Sequence, residues 1–347
     1  MYIKKILLII VLLGVVVGGF ITYRIYTAIF DPNTAFNNKE AYVIIPTGAS
    51  FQEVRTQLAP LLKDIDAFES VAQRKGYNTN VKAGRYAIKK GMNNNDIVNT
   101  LRVNNLPIRL TFNNQETLPR LAGRIASQIE ADSLALLRAF EDEDFFKESG
   151  FNRGTAIGMY IPNSYEFFWN TSAVDFRDRM FKEHRRFWNE GRKAKAKALN
   201  LSANEVMTVA SIVQKETAKV DERPRVAGVY LNRIRRKMPL QADPTVIFAI
   251  KEKYNNHDTV IKRVLYRDLE IDSKYNTYKY ASIPPGPIAM PDVSAIDAVL
   301  NAENHDYLFF VADVKRPGYH MFAKTLTQHN RNKNQYRRWI DQQGIYR

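Results

Sequence analysis

The sequence predicts an α+β protein in three parts: a single N-terminal transmembrane helix, a small α/β module and a larger α+β domain. Three observations carry this reading. An uninterrupted apolar or glycine run extends from Ile6 to Ile21, a strand–turn–helix pattern recurs with fixed spacing, and amphipathic helices then alternate with short β-branched and aromatic runs. The boundaries that follow are a tail at 1–5, a span at 6–26, a module at 40–106 and a domain at 107–347.

Lys4 and Lys5 precede the apolar run, and Thr22 and Tyr23 extend it. The run falls slightly short of the roughly 20 residues a spanning helix needs, but Tyr2, Tyr23 and Tyr26 can sit in the headgroup layers and lengthen it. Bulky Tyr23, Ile25, Tyr26 and Ile29 follow where a cleaved leader would carry small residues, so the segment reads as an uncleaved anchor. The lysines keep the N-terminus in the cytoplasm and send everything after about Asp31 across the membrane.

A net charge of +15 favours an anionic polymer or surface. Nucleic acid is excluded as the preferred partner, because the basic residues are scattered and no zinc-knuckle, basic-zipper or helix-turn-helix pattern occurs. With no cysteine there are no disulfides and no thiolate metal sites, and His184, His257, His305, His320 and His329 lack metal-ligand spacing. Ser211 lies in a helical pattern and not at a G-x-S-x-G turn, so no serine-hydrolase elbow is present. Neither a metal nor a cofactor is expected.

Asp31–Glu40 is polar and reads as a short linker. After it, Gly48 is followed by Val54 and Leu58, Gly91 by Ile97 and Leu101, and Gln115 by Leu121 and Ile125, at the same offsets each time. Each copy predicts a strand, a turn and a capped helix, with Ser50 and Glu53 forming a capping box and Asn93 and Asp96 a weaker equivalent. Such units resemble a LysM-like glycan-binding module; a plain α/β spacer fits the same pattern.

The acidic stretch Glu130–Gly150 predicts a helix and a solvated connection, and Gly158–Asn170 is rich in aromatics that pack in a core or stack on sugars. Val174–Asn200 reads as one long basic helix. The segment Leu201–Lys219 opens with the Ser202/Glu205 capping box, and Val206, Val209, Ala210, Val213 and Thr217 form its buried stripe. Glu216 falls at the edge of that stripe. An acid facing an apolar wall has a raised pKa and can donate a proton near neutrality, whereas one leaning on Lys219 is a solvated surface acid. Pro224–Arg236 is a further helix, with the amide Asn232 near its apolar border. Gln241, Asp243 and Thr245 crowd into a turn before the next apolar run, where Asp243 and Pro244 also fit a helix start. Asn276 and Tyr278 precede Pro284–Pro287, whose three prolines and glycine impose irregular backbone. Asp292 or Ser294 caps a helix, Tyr307–Asp313 reads as a buried strand, and His320 and Phe322 begin its returning partner.

The blocks ASIVQKETA, VYLNRIRRKMPLQADPTVIFAI, YNTY, PPGPIAMP, the late His320-x-Phe322 and the pair His329–Asn330 occur in this order, and together they resemble the endolytic murein transglycosylase, or YceG-like, family. The resemblance implies a single-pass inner-membrane enzyme with a periplasmic catalytic domain. It implies cleavage within peptidoglycan strands between N-acetylmuramic acid and N-acetylglucosamine, leaving 1,6-anhydro ends and terminating strand growth, with peptidoglycan synthases as partners. It places the catalytic acid on Glu216 and substrate contacts on Asn232, Gln241, Asp243, Thr245, Asn276, Tyr278 and His320. Two positions depart from the family pattern: Gln214 and Ile157 stand where glutamates are usual. An inactive glycan-binding scaffold and a hydrolase pairing Glu216 with Asp243 are the alternative readings.

Overall fold

The computed structural model describes residues 2–343; Met1 of the expected tail and residues 344–347 of the expected last domain lie outside it. Helix α1 (Tyr2–Phe30) is, among the described residues, the one helix long and apolar enough to cross a membrane. It overruns the expected 6–26 span at both ends, and none of its residues is fully buried; only Thr27, Ala28 and Ile29 at its end are half-buried. A helix pairs its backbone polar groups internally, so such a bare apolar surface is stable only in lipid or against another apolar surface.

Contacts divide the chain into two compact units. The first comprises residues up to 110 together with 128–131 and 165–172; the second comprises 111–127, 132–164 and the chain from 173 onward. In the first, β1 (Glu40–Ile45) leads to α2 (Phe51–Leu58), α3 (Ile65–Arg74), β2 (Gly84–Lys89) and α4 (Asn94–Val103). Strands β1 and β2 pair antiparallel, with Glu40 opposite Lys89 and Ile45 opposite Gly84. Ile45, Val54, Leu58, Phe68, Ile88 and Leu101 form the shared core.

The repeated pattern is realised as expected. Ser50 and Glu53 make the full reciprocal box at α2, while Asn93 caps α4 by accepting the Asp96 N–H at 2.8 Å. Gly48 and Gly91 both have left-handed backbone, with φ of +79° and +84°, and so supply the turns that a side chain would strain. The third copy, β3 (Pro107–Phe112) and α5 (Leu118–Ala126), turns without left-handed backbone at Gln115. The segment 31–40 is not a free linker. Asn33 is buried, accepts the Asp64 N–H and donates to the Asp64 carbonyl and to Asn94 Oδ1, so three short bonds fasten it down.

Between Glu130 and Gly150 there are two helices instead of one, α6 (Ser133–Phe140) and α7 (Glu143–Ser149), and β4 (Asn163–Phe168) then pairs with β3. The expected single helix over 174–200 is broken into α8 (Ala173–Phe187) and α9 (Glu190–Ala198). Trp188 turns into the core there, and Asn189 accepts the Arg192 N–H at 3.0 Å to start a new helix. Next come α10 (Ala203–Glu216), α11 (Arg223–Arg235), α12 (Asp243–Lys253), α13 (Val293–Leu300), β5 (Phe309–Ala312), β6 (His320–Ala323) and α14 (Leu326–Gln342). The pair β5–β6 is antiparallel, and all four β5 residues are half-buried, because α14 packs on this two-stranded ribbon without enclosing it.

Helix α10 is the axis of the second unit and packs against α9, α11, α12 and α13. Every residue from Val206 to Val213 is buried, a wider contact than one stripe, and each large aliphatic among them contributes roughly 1.5–3 kcal/mol. The helix stops at Glu216, three residues before the expected end at Lys219. Thr217 turns extended, accepts the Lys219 N–H on its hydroxyl and donates that hydroxyl to Glu222, local bonds that compete with another helical turn.

Polar residues of α10 tie down the proline-rich loop. Ser211 Oγ accepts the Ile288 N–H at 3.0 Å, and the Gln214 amide donates to the Met290 carbonyl while accepting from Asp292 N–H and Asn114. A carboxylate at this position could accept but not donate to the Met290 carbonyl, so Gln214 is a cross-link in this chain. Ile157, the other departure, is buried. Gly286 is pressed so closely on Gly154 that a Cβ would lie 2.0 Å from its carbonyl oxygen. Gly286→Ala should therefore cost about 1–3 kcal/mol of stability in urea unfolding, with the loop displaced; an unchanged midpoint would contradict this packing.

Candidate active site

Glu216 is the last helical residue of α10 and lies half-buried at the wall of a cavity of about 370 Å³. Tyr230 and Arg233 come to the cavity from α11, Gln241 and Asp243 from the turn that starts α12, and Tyr278 from the Asn-aromatic segment. Leu240, together with Phe309 and Phe310 of β5 and with Leu326, His329, Asn330 and Lys333 of α14, completes the lining.

The Glu216 carboxylate accepts a hydrogen bond from Tyr230 Oη at 2.8 Å. Burial penalises its charged form and, with the negative charge of Asp243, outweighs the Tyr230 bond and the nearby Arg233 and His320, which favour ionisation. The pKa is thereby pushed up to about 7. Near neutral pH the group is divided between acid and carboxylate, the condition under which one side chain can donate a proton and later take one back.

Four of the expected site residues meet here: Glu216, Gln241, Asp243 and Tyr278. Asp243 accepts a 2.6 Å bond from Tyr278 Oη. Gln241 has φ of +50°, a conformation few side chains adopt, and its N–H is held by the Thr277 carbonyl at 3.0 Å. The other four do not line the cavity. Thr245 is wholly buried and bonds the Ala242 carbonyl and Thr277 Oγ1, pinning the turn from behind. Asn276 is also wholly buried, donating to the carbonyls of Leu269 and Ile271 and accepting the Tyr278 N–H. Asn232 donates to the carbonyls of His305 and Tyr307. His320 is tied to Glu222, which accepts both its Nδ1 and its backbone N–H at 2.8 Å. Despite its burial, these bonds hold the Glu222 pKa below the ordinary carboxylate value.

Tyr230 and Arg233 carry no such expectation in the sequence, where periodicity places Tyr230 on the packed side of a helix and Arg233 in a short basic run. In three dimensions Tyr230 is fully buried and touches the acid, while Arg233 is buried with its guanidinium donating to the carbonyls of Leu308, Pro239 and Leu240. The pair His329–Asn330 is legible as a sequence block, but its place at the cavity needs the packing of α14. His329 Nδ1 is buried there without a hydrogen-bond partner.

Two measurable consequences follow from the acid's environment. Its folded pKa of about 7 exceeds the unfolded value near 4.5, so the native state binds the extra proton and stability falls as pH rises between these values. Glu216→Gln should match wild-type stability near pH 4 and exceed it near pH 8, by at most about 3 kcal/mol; parallel urea curves at both pH values would refute the burial. Tyr230→Phe removes a bond that favours the charged form, so the Glu216 titration followed by NMR should move to higher pH.

Comparison with known proteins agrees with this arrangement of blocks. The chain matches the YceG-like family over residues 43–335. It is 31% identical over 340 residues to the endolytic murein transglycosylase of Bacillus subtilis (strain 168), covering 92% of this chain and 91% of that one. It is 30% identical over 345 residues to the endolytic murein transglycosylase of Streptococcus pneumoniae serotype 2, covering 91% of this chain and 62% of that one. The 2.6 Å crystal structure of a yceG-like protein from Listeria monocytogenes is similar with a TM-score of 0.56 and 28% identity, over 85% of this chain and 99% of that one. The chain belongs to the YceG-like family.

Proposed function

We propose that this chain is a membrane-anchored endolytic peptidoglycan lytic transglycosylase with Glu216 as its general acid and base. The observation that carries the reading is the half-buried carboxyl with a pKa of about 7 at the wall of a polar cavity. The names of its curated relatives support the reaction class.

In this mechanism Glu216 protonates the oxygen between N-acetylmuramic acid and N-acetylglucosamine. The substrate's own C6 hydroxyl then attacks C1, and the Glu216 carboxylate takes the hydroxyl proton. The C1–O bond of the linkage breaks, a 1,6-anhydro ring forms, and no water is consumed. One carboxyl therefore suffices where hydrolases generally use two. Gln241, Asp243 and Tyr278 orient the sugars. Asn232, Thr245, Asn276 and His320 act behind them by holding the turn, the Asn-aromatic segment and the strand pair in place.

Helix α1 anchors the chain in the inner membrane with its N-terminus cytoplasmic, as Lys4 and Lys5 favour, and the domain of 107–347 works in the periplasm. The module of 40–106 is read as LysM-like; its β-α-α-β order, with paired outer strands, supports this. Peptidoglycan synthases are the expected protein partners, since cutting new strands sets their length.

Asp243 lining the same cavity favours a second reading, a hydrolytic muramidase with Asp243 as the second carboxylate. Digestion of purified sacculi by the full chain separates the two, because hydrolysis adds the mass of water to the product and lytic cleavage does not. Anhydro ends are expected from wild type and none from Glu216→Gln, and cleavage should slow as pH rises above about 7 and the acid form is lost. Water-added products would establish the hydrolase instead; sacculi left intact by wild type would leave a binding scaffold.

A further inference from the structure

A second cavity, about 720 Å³ against 370 Å³ at Glu216, lies among the end of α7, α8 and the start of α10. It shares Trp188, Lys193, Ser202 and Ala203 with an adjoining cavity of about 440 Å³ that continues toward Lys197 and Asn200, so the two form one groove. Its volume falls in the range of roughly 300–1,000 Å³ usual for ligand sites.

Three features of the groove point to a ligand. Its walls include the rings of Phe151, Phe181 and Trp188. Two side chains more than nine-tenths buried, His184 and Trp188, belong to its lining, and each carries a buried ring nitrogen with no hydrogen-bond partner, Nε2 of His184 and Nε1 of Trp188. An indole N–H can only donate, so it calls for an oxygen acceptor. Arg185, Arg186, Lys193 and Lys197 supply cations, and no carboxylate lines either cavity; Glu183 and Glu190, which pair with Arg186 and Lys193, stand outside the lining.

Aromatic faces, an unpaired buried donor and a cationic rim match a carbohydrate that carries both amide oxygens and carboxylates. We propose that this groove is an accessory subsite for a peptidoglycan strand, with a sugar ring against the partly exposed Phe181, an acetamido oxygen directed to Trp188 Nε1 and stem-peptide carboxylates on Arg185, Arg186 and Lys193. The inference rests on the proposed substrate class and assigns this groove to holding the strand, apart from the Glu216 cavity that cuts it.

The test uses the full chain in detergent with Glu216→Gln, so that binding is read without cleavage. Sacculi stripped of phosphodiester polymers and defined glycan tetrasaccharides bearing stem peptides are the probes. The exposed pair Arg185→Ala with Arg186→Ala should leave the unfolding curve unchanged and weaken binding of both probes by at least about tenfold. Trp188→Phe keeps the ring and removes the donor, and should weaken binding by about threefold to tenfold. Amidation of the stem carboxylates should reproduce the loss in the unsubstituted chain. In the cleaving background, the arginine variants should raise KM for long strands and leave kcat unchanged. Unchanged affinity in the arginine variants, or binding confined to phosphodiester polymer, overturns the inference. Failure of the proposed activity would show separately, as no product from wild type.

Discussion

The position of one carboxyl, at the point where a core helix runs out, is the constraint on which the rest of the site depends. Helix α10 is buried on all sides over its middle two turns, which end at Val213, and Glu216 lies just under one turn beyond that stretch. One turn earlier the carboxyl would lie in close-packed apolar surroundings; one turn later it would be solvated. Thr217 fixes the place by diverting the backbone into local hydrogen bonds. The raised pKa is thus a consequence of where the helix ends, and the end is set by a threonine hydroxyl.

Much of the polar character of the family blocks serves backbone and not ligand. Thr245 and Thr277 hold the turn that carries Gln241 and Asp243, Asn276 holds the segment that carries Tyr278, and Arg233 gathers the carbonyls before α12 and just before β5. Irregular backbone cannot satisfy its own polar groups as a helix does, so buried amides, hydroxyls and a guanidinium do it instead. Such residues are easily read as substrate contacts from sequence, since a buried Asn bonding a carbonyl and an exposed Asn bonding a sugar are the same letter.

The sequence made legible what local chemistry determines. Both capping boxes, the glycines with left-handed backbone, the cap at Asp292 and the placing of Glu216 at an apolar border all follow from spacing within a few residues. What was not legible depends on long-range packing. The break at Trp188 required a core for the indole to enter, the fastening of Asn33 required partners 31 and 61 residues away, and the half-burial of β5 required knowing that its sheet has only two strands. Tyr230 and Arg233 were hidden for the same reason: their helix is covered on several sides, so periodicity marks them as core and says nothing of the acid beside them.

The balance around Glu216 is also what the proposed mechanism requires of a single group that serves both halves of a proton shuttle. Asp243 disfavours the charged form, whereas Arg233, His320 and the Tyr230 hydroxyl favour it. These influences of opposite sign partly cancel, which leaves desolvation as the deciding one and holds the pKa near 7 instead of sending it to an extreme. Arg233 is bound by carbonyls and not by a carboxylate, so it contributes a fixed positive charge that the arrival of a neutral sugar does not displace. In the proposed mechanism a sugar filling the cavity would remove further water from Glu216 and strengthen the acid form, the form that mechanism needs to protonate a glycosidic oxygen.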